Sequence, residues 1–216
     1  MPAMLGQDAP ANDGFGKEDL KEYVDRSTVR GMGLKGAETR VRMLDATQTL
    51  IEAGGYHAAG LNQVIAASGA PRGSLYFHFP GGKDQLVGAS VRRAGGMIGE
   101  ALEGLADSSA SVAEFADAVL RHLGDRLEES GWRKGCPVAT VALEIAATSD
   151  PLQEVCSEVY ASWEDALRAR LAGRPDADDL AVVILALVEG ALLLARTHRS
   201  REPLDRVARR IGVLLG

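Results

Sequence analysis

From Leu180 to Ala195 the chain is apolar on every side of a helix, Glu189 being the one charged interruption. A helix of that kind cannot lie on the surface of a monomer and has to be covered on two sides. The stretch falls short of the roughly 20 residues a membrane span needs, so the expectation is a soluble protein in which it is a buried helix. Its own domain supplies one cover, and a second copy of the chain related by two-fold symmetry supplies the other. The tail that follows, with Leu204, Val207, Ile211, Val213, Leu214 and Leu215, reads as a final helix that completes the bundle.

Helical spacing recurs through the chain from Ala37 onward. Val41, Leu44, Thr47, Leu50 and Ile51 share a face until Gly54-Gly55 stops the run. Helices are predicted over about 37–53, 61–67, 71–77, 83–104, 111–129, 137–148, 151–172, 177–198 and 203–215, with no convincing strand. Asp150, Pro151 and Gln153 predict a capping box, and Gly173 with Pro175 ends the helix that it opens. Leu152, Val155, Val159, Trp163 and Leu167 give that helix a face that must be buried.

Residues Leu61 to Lys83 contain two short helices bent around Gly69, the second carrying Arg72, Ser74, Tyr76 and His78 beside apolar Leu75 and Phe79. A helix-turn-helix of this form places its second helix in the DNA major groove. There Arg and Ser read base edges, while Tyr, His and Lys hold phosphates. Leu75 and Phe79, four apart, claim the inward face and leave Tyr76 and His78 outward. Gly73 costs about 1 kcal/mol inside a helix unless something needs the missing side chain, and close approach to a sugar-phosphate backbone is such a need.

The formal net charge of −6 speaks against nucleic acid, but its distribution does not. Residues 35–93 carry seven Lys/Arg against four acids, and residues 94–216 hold −7. A basic head on an acidic body suits a DNA module joined to a part that does not touch DNA. Arg40 and Arg42 either touch flanking phosphates or belong to a solvated helix face. Cys136 and Cys156 match no metal spacing and read as small buried hydrophobes of a cytoplasmic protein with no signal peptide.

Other chemistries are excluded by context. Gly31, Gly33 and Gly36 spell GxGxxG but follow no strand, and Gly82-Lys83 lacks the Ser or Thr and the upstream Gly of a phosphate loop. Ser74 and His78 have no GxSxG elbow or orienting acid, so no enzyme, cofactor or metal site is expected. Residues 1–34 read as a disordered extension; Arg26, Arg30 and Lys35 are candidates for a basic arm, and Met32 is an alternative start.

The first helix, the helix-turn-helix and the long linking helix together resemble the TetR family of one-component transcriptional regulators over about residues 35–85. The carriers are Gly54-Gly55-Tyr56, the run from Arg72 through Phe79, and Lys83 opening the fourth helix. Gly135-Cys136-Pro137-Val138 and the segment from Glu189 to Arg196 are similar to the LmrA/YxaF-type C-terminal domain of that family. The resemblance implies an all-α protein with an N-terminal three-helix DNA-binding domain (35–82) and a C-terminal helical domain for effector binding and dimerisation (83–216). It implies a homodimer through about residues 177–215, whose last two helices pair into a four-helix bundle. By position Arg72, Gly73, Ser74, Tyr76 and His78 face DNA and Lys83 clamps phosphate. The sequence departs from the family at Gly60, a weak cap for which Asn62 substitutes as a phosphate contact, and at Ala70-Pro71, where Pro71 is pre-set for the first turn.

In the acidic body Phe115, His122, Trp132, Tyr160 and Trp163 are candidate walls of a small-molecule pocket, with core packing as the alternative for each. Glu144, set among apolar neighbours, is paired, exposed at the helix edge, or used on a ligand. The function expected is a repressor released from a palindromic operator by a small hydrophobic or amphipathic effector. The alternative is a small-molecule carrier whose head no longer binds DNA.

Overall fold

The computed structural model describes residues 33–215, and the regular elements among them are all α-helices. The expectations for residues 1–32 lie outside the described residues. Residues Met1–Thr39 and Arg40–Gly216 form two units, the first represented only by the opening of the first helix.

Helix α1 (Leu34–Ala58) starts three residues before its expected position and is broken at Gly54 and Gly55, whose backbone angles are not helical. Helix α2 (Leu61–Ser68) ends at Gly69, which sits at φ 62°, ψ 18°. That left-handed conformation costs glycine little and turns the chain sharply into the next helix. Helix α3 spans Arg72–His78. Pro71 is its N-cap, at ψ 138°, and not a residue of its first turn as expected, because the extended backbone of the turn runs through it.

The body comprises α4 (Gly82–Asp107), α5 (Val112–Glu129), α6 (Pro137–Ile145), α7 (Asp150–Arg170), α8 (Ala177–His198) and α9 (Glu202–Leu215). The capping box expected at Asp150 does not form. Ser149 takes the N-cap position without a side-chain cap bond, and its hydroxyl donates instead to Asp84 Oδ2 at 3.5 Å. A reciprocal cap occurs at α5, where Ser111 Oγ accepts from Glu114 N and Glu114 Oε2 accepts from Ala110 N.

Three apolar clusters organise the described part of the second unit, the smallest being Ala106, Phe115 and Val119 on α4 and α5. A small one under α3 is built from Met43, Leu44, Val64, Leu75, Phe79 and Leu86. The largest gathers α4 to α9, with Ile51 of α1 and Ala59 just beyond its end included. Helix α4 packs on α7, α5 on α9, and α8 on both α7 and α9. At Gly95 a Cβ would come within 2.4 Å of Val159 Cγ1, so α4 and α7 touch through backbone there, and Trp163 Nε1 donates to Gly95 O at 3.2 Å.

Helix α8 extends beyond the apolar stretch at both ends. At 22 residues it is long and apolar enough, by length and composition, to cross a membrane, contrary to the expectation from Leu180–Ala195 alone. Its Ala181, Ile184, Ala191, Leu192 and Ala195 are buried in the largest cluster, as in the core helix of a bundle. Val182, Val183, Leu193 and Leu194 are exposed, as is Val213 of α9.

Candidate functional site

Leu75 and Phe79 are buried beneath α3 and fix which of its sides faces out. Arg72, Gly73 and Tyr76 are exposed, with Tyr76 at 64%. Phe77, which the sequence reading passed over, is 70% exposed. Ser74 is half-buried. A Cβ at Gly73 would meet nothing within 4 Å, so no packing contact within the described residues calls for glycine there.

His78 does not stand fully outward as expected. It lies one residue before Phe79 and three after Leu75, so part of the ring is drawn toward the core. Its Nδ1 is buried without a hydrogen-bond partner among the described residues, and the ring meets Phe77 edge-on at 5.0 Å. Burial, and secondarily Arg40, hold its pKa below the usual histidine value. Arg40 also stacks over the Phe79 ring at 5.3 Å.

Lys83 is the second residue of α4, and its Nζ sits 3.8 Å from the centroid of the Tyr56 ring. Burial lowers its pKa, while Asp84 and Glu144 push the other way. The Tyr56 hydroxyl donates to Asp84 Oδ1 at 2.6 Å, and burial followed by that bond pushes the phenol up to about 12. Asn62 is exposed in the first turn of α2, and its N-cap Gly60 has no side-chain cap bond.

The break in α1 leaves three carbonyls of its last turn to be satisfied from outside the helix. The body meets all three. Thr140 Oγ1 donates to Ile51 O at 2.9 Å, Gly135 N to Glu52 O at 3.0 Å, and Arg196 Nη2 to Ala53 O at 2.7 Å. Glu52 itself is 2% exposed and is held by Arg126 Nη2 at 3.2 Å, Lys134 Nζ at 3.8 Å and Gln48 Nε2 at 3.0 Å. Beyond the break, Glu144 Oε2 accepts from the His57 N–H at 2.9 Å.

A cavity of about 330 Å³ lies in the body among α4, α5, α7, α8 and the segment 134–137. Of the six residues expected at a pocket, Phe115 and Trp163 line it and four do not. His122 is exposed on α5, and Trp132 is packed against the core cluster after the α5 terminus, at φ 65°. Tyr160 meets Trp163 edge-on at 5.6 Å, and Glu144 is committed to α1. Arg126 and Lys134, which hold Glu52, do line the cavity.

Among the lining residues that sequence reasoning missed are Cys136 and Glu189. They are neighbours. Burial, reinforced by Glu189, pushes the Cys136 thiol well up, and burial raises the Glu189 carboxyl, partly offset by the Cys136 hydrogen bond. Tyr160 stands beside both and is itself raised, chiefly by burial. The usable signal was an acid interrupting an otherwise apolar helix. Among the described residues no group of three or more His, Cys, Asp or Glu is arranged to hold a metal.

Two family models match the chain. Residues 43–89 match the bacterial regulatory proteins of the tetR family, and residues 112–210 match the LmrA/YxaF-like C-terminal domain of transcriptional regulators. The chain is 35% identical over 182 residues to the HTH-type transcriptional regulator LmrA of Bacillus subtilis, covering 82% of this chain and 97% of that one. It is 32% identical over 182 residues to the uncharacterized HTH-type transcriptional regulator YxaF of the same organism, covering 82% and 95%. In structure it is similar to the TetR family regulator CifR, solved as a cysteine mutant complexed with 26-bp operator DNA. That TM-score is 0.71 at 22% identity, over 82% of this chain and 96% of the other.

Proposed function

This chain belongs to the TetR family of bacterial regulatory proteins, which are transcriptional regulators and not enzymes, and on that premise we propose that it is a ligand-responsive repressor acting as a homodimer in the cytoplasm. Residues 35–82 form the DNA-binding domain and 83–216 the domain for effector binding and dimerisation. The observation that carries the reading is α3, which buries Leu75 and Phe79 while presenting Arg72 and Tyr76 to solvent.

In the proposed complex Arg72 reads a base edge or phosphate, Tyr76 and the free edge of His78 contact phosphate, and Gly73 permits close approach of the backbone. Ser74 and Asn62 add contacts at the two ends of the motif. Lys83, at the start of α4, contributes its charge together with the positive end of that helix. The relative CifR has been captured on operator DNA, which supports a duplex partner here. The exposed apolar face of α8, with Val213 of α9, supports dimerisation through residues 177–215. A two-fold dimer presents its recognition helices about one DNA turn apart, roughly 34–36 Å, and so calls for a palindromic operator.

The effector is a small hydrophobic or amphipathic molecule held in the cavity, against Phe115 and Trp163. Two of the cavity's residues, Arg126 and Lys134, grip Glu52 of α1, so occupancy can shift the head through contacts already in place. A ligand that favours the non-binding arrangement by its differential affinity empties the operator.

The test is a gel-shift titration against an inverted repeat upstream of the protein's own gene. Arg72→Ala and Tyr76→Phe are expected to weaken binding while sedimentation still gives a dimer. Unchanged affinity in both variants would refute the assigned reading head, and a flat wild-type titration would favour the carrier alternative.

A further inference from the structure

Two of the charged side chains around the cavity are neutralised by an ion pair among the described residues, whereas Arg170 and the acids Glu100, Glu103 and Glu189 are not. Arg126 and Lys134 are paired with Glu52, and Arg170 lies over the Phe115 ring at 5.0 Å. Glu189 has no ion pair among the described residues; a thiol and a phenol are its polar company. A thiol is a weak donor and carries no compensating charge. A carboxylate in so apolar a setting is costly unless it is protonated or meets a cation.

We infer that the cavity takes a hydrophobic amine, its ammonium group seated on Glu189 and its apolar part against Phe115 and Trp163. This deepens the ligand-responsive reading above and rests on it. An ammonium supplies both the missing charge and hydrogen-bond donors, in a site where low polarisability strengthens the contact. Trp163 adds a ring face that attracts a cation, the Phe115 ring being already covered by Arg170. An anionic ligand meets the opposite situation: Arg126 and Lys134 can be taken only by stranding Glu52, a carboxylate that is 2% exposed, and the remaining lining cation, Arg170, is exposed to solvent, where a charge pair is worth little. Glu100 and Glu103, exposed on α4, also line the cavity, and no base pairs with either among the described residues.

The experiment is calorimetric titration of the full-length protein with 4-phenylbutylamine, 4-phenylbutanol and 4-phenylbutyrate, three probes that differ in the head group. The amine is expected to bind about tenfold tighter than either of the others, the ratio a charged hydrogen bond supplies. In Glu189→Gln that preference disappears while circular dichroism stays unchanged. The inference is overturned if the butyrate or the butanol binds as tightly as the amine, if none of the three binds, or if folded Glu189→Gln keeps the amine preference. Should the variant not fold, the wild-type series decides alone. Operator binding by the ligand-free protein is read in the same preparation. No amine preference in the wild-type protein with intact operator binding sinks the ligand assignment only, whereas absent operator binding sinks the regulator reading and leaves the calorimetry standing.

Discussion

Under α3 the side chains of Met43, Val64, Leu75 and Leu86 are fully buried, while the body encloses a cavity of about 330 Å³. In the head, close packing of Leu75 and Phe79 holds a seven-residue helix rigidly enough to give its outer side chains fixed directions. In the body, the walls of the cavity lack partner atoms on one side, and that unmet contact is what a ligand recovers. One region works by leaving nothing to adjust, and the other by leaving room.

Hollowing the filled region has the largest expected effect. Phe79→Ala removes a ring that is 1% exposed and is expected to cost about 3–5 kcal/mol. The loss falls on the head. Both tryptophans, Trp132 and Trp163, lie in the body, so helical dichroism should fall before tryptophan emission changes. Coincident transitions would show that the two regions fold as one.

Next comes the joint between the regions. Arg126→Met leaves Glu52 with Lys134 and Gln48 and is expected to cost about 2 kcal/mol, measured by urea unfolding. The same change loosens the grip of the cavity wall on α1, so operator affinity should become less responsive to ligand. An unaltered response would place the coupling elsewhere.

Filling the hollow region is a smaller change. Val188→Phe adds bulk to a cavity-lining position and is expected to raise stability by about 0.5–1 kcal/mol while abolishing binding of the phenylbutyl probes. A destabilised protein that still binds them would show that the cavity is not the site.

The smallest effects separate the regions by pH. His78 has a lowered pKa when folded, so the unfolded chain binds more protons below about 6.5, and the head loses stability as pH falls through that window. Glu189 has a raised pKa, so the folded chain keeps its proton longer. Its contribution is full below the ordinary value of 4.5 and is lost as pH rises through the raised one. Thermal melts between pH 4.5 and 7 should therefore change in opposite senses in His78→Gln and Glu189→Gln relative to wild type.

Much of the helix order was legible because each helix carries its own period. The break at Gly54-Gly55 and the turn at Gly69 are set by the conformations open to glycine. The outward set on α3 was legible through the i, i+4 pair Leu75 and Phe79, although His78 turned half inward, since a helix under two turns long has few truly outward positions. The cavity was not legible. Phe115 and Trp163 line it, but Glu144 serves α1, His122 faces solvent, and Trp132 and Tyr160 pack beside it. Aromatic content identifies residues fit for a wall without saying where the wall stands.

Local rules, in short range along the chain, determined the helices, their breaks and the reading face, because propensity, periodicity and glycine geometry act within a few residues. Only tertiary structure decided what Glu52, Glu144 and Glu189 do. Each is an acid in an apolar neighbourhood, and whether it meets a base, a backbone N–H or a cavity depends on helices far away in sequence.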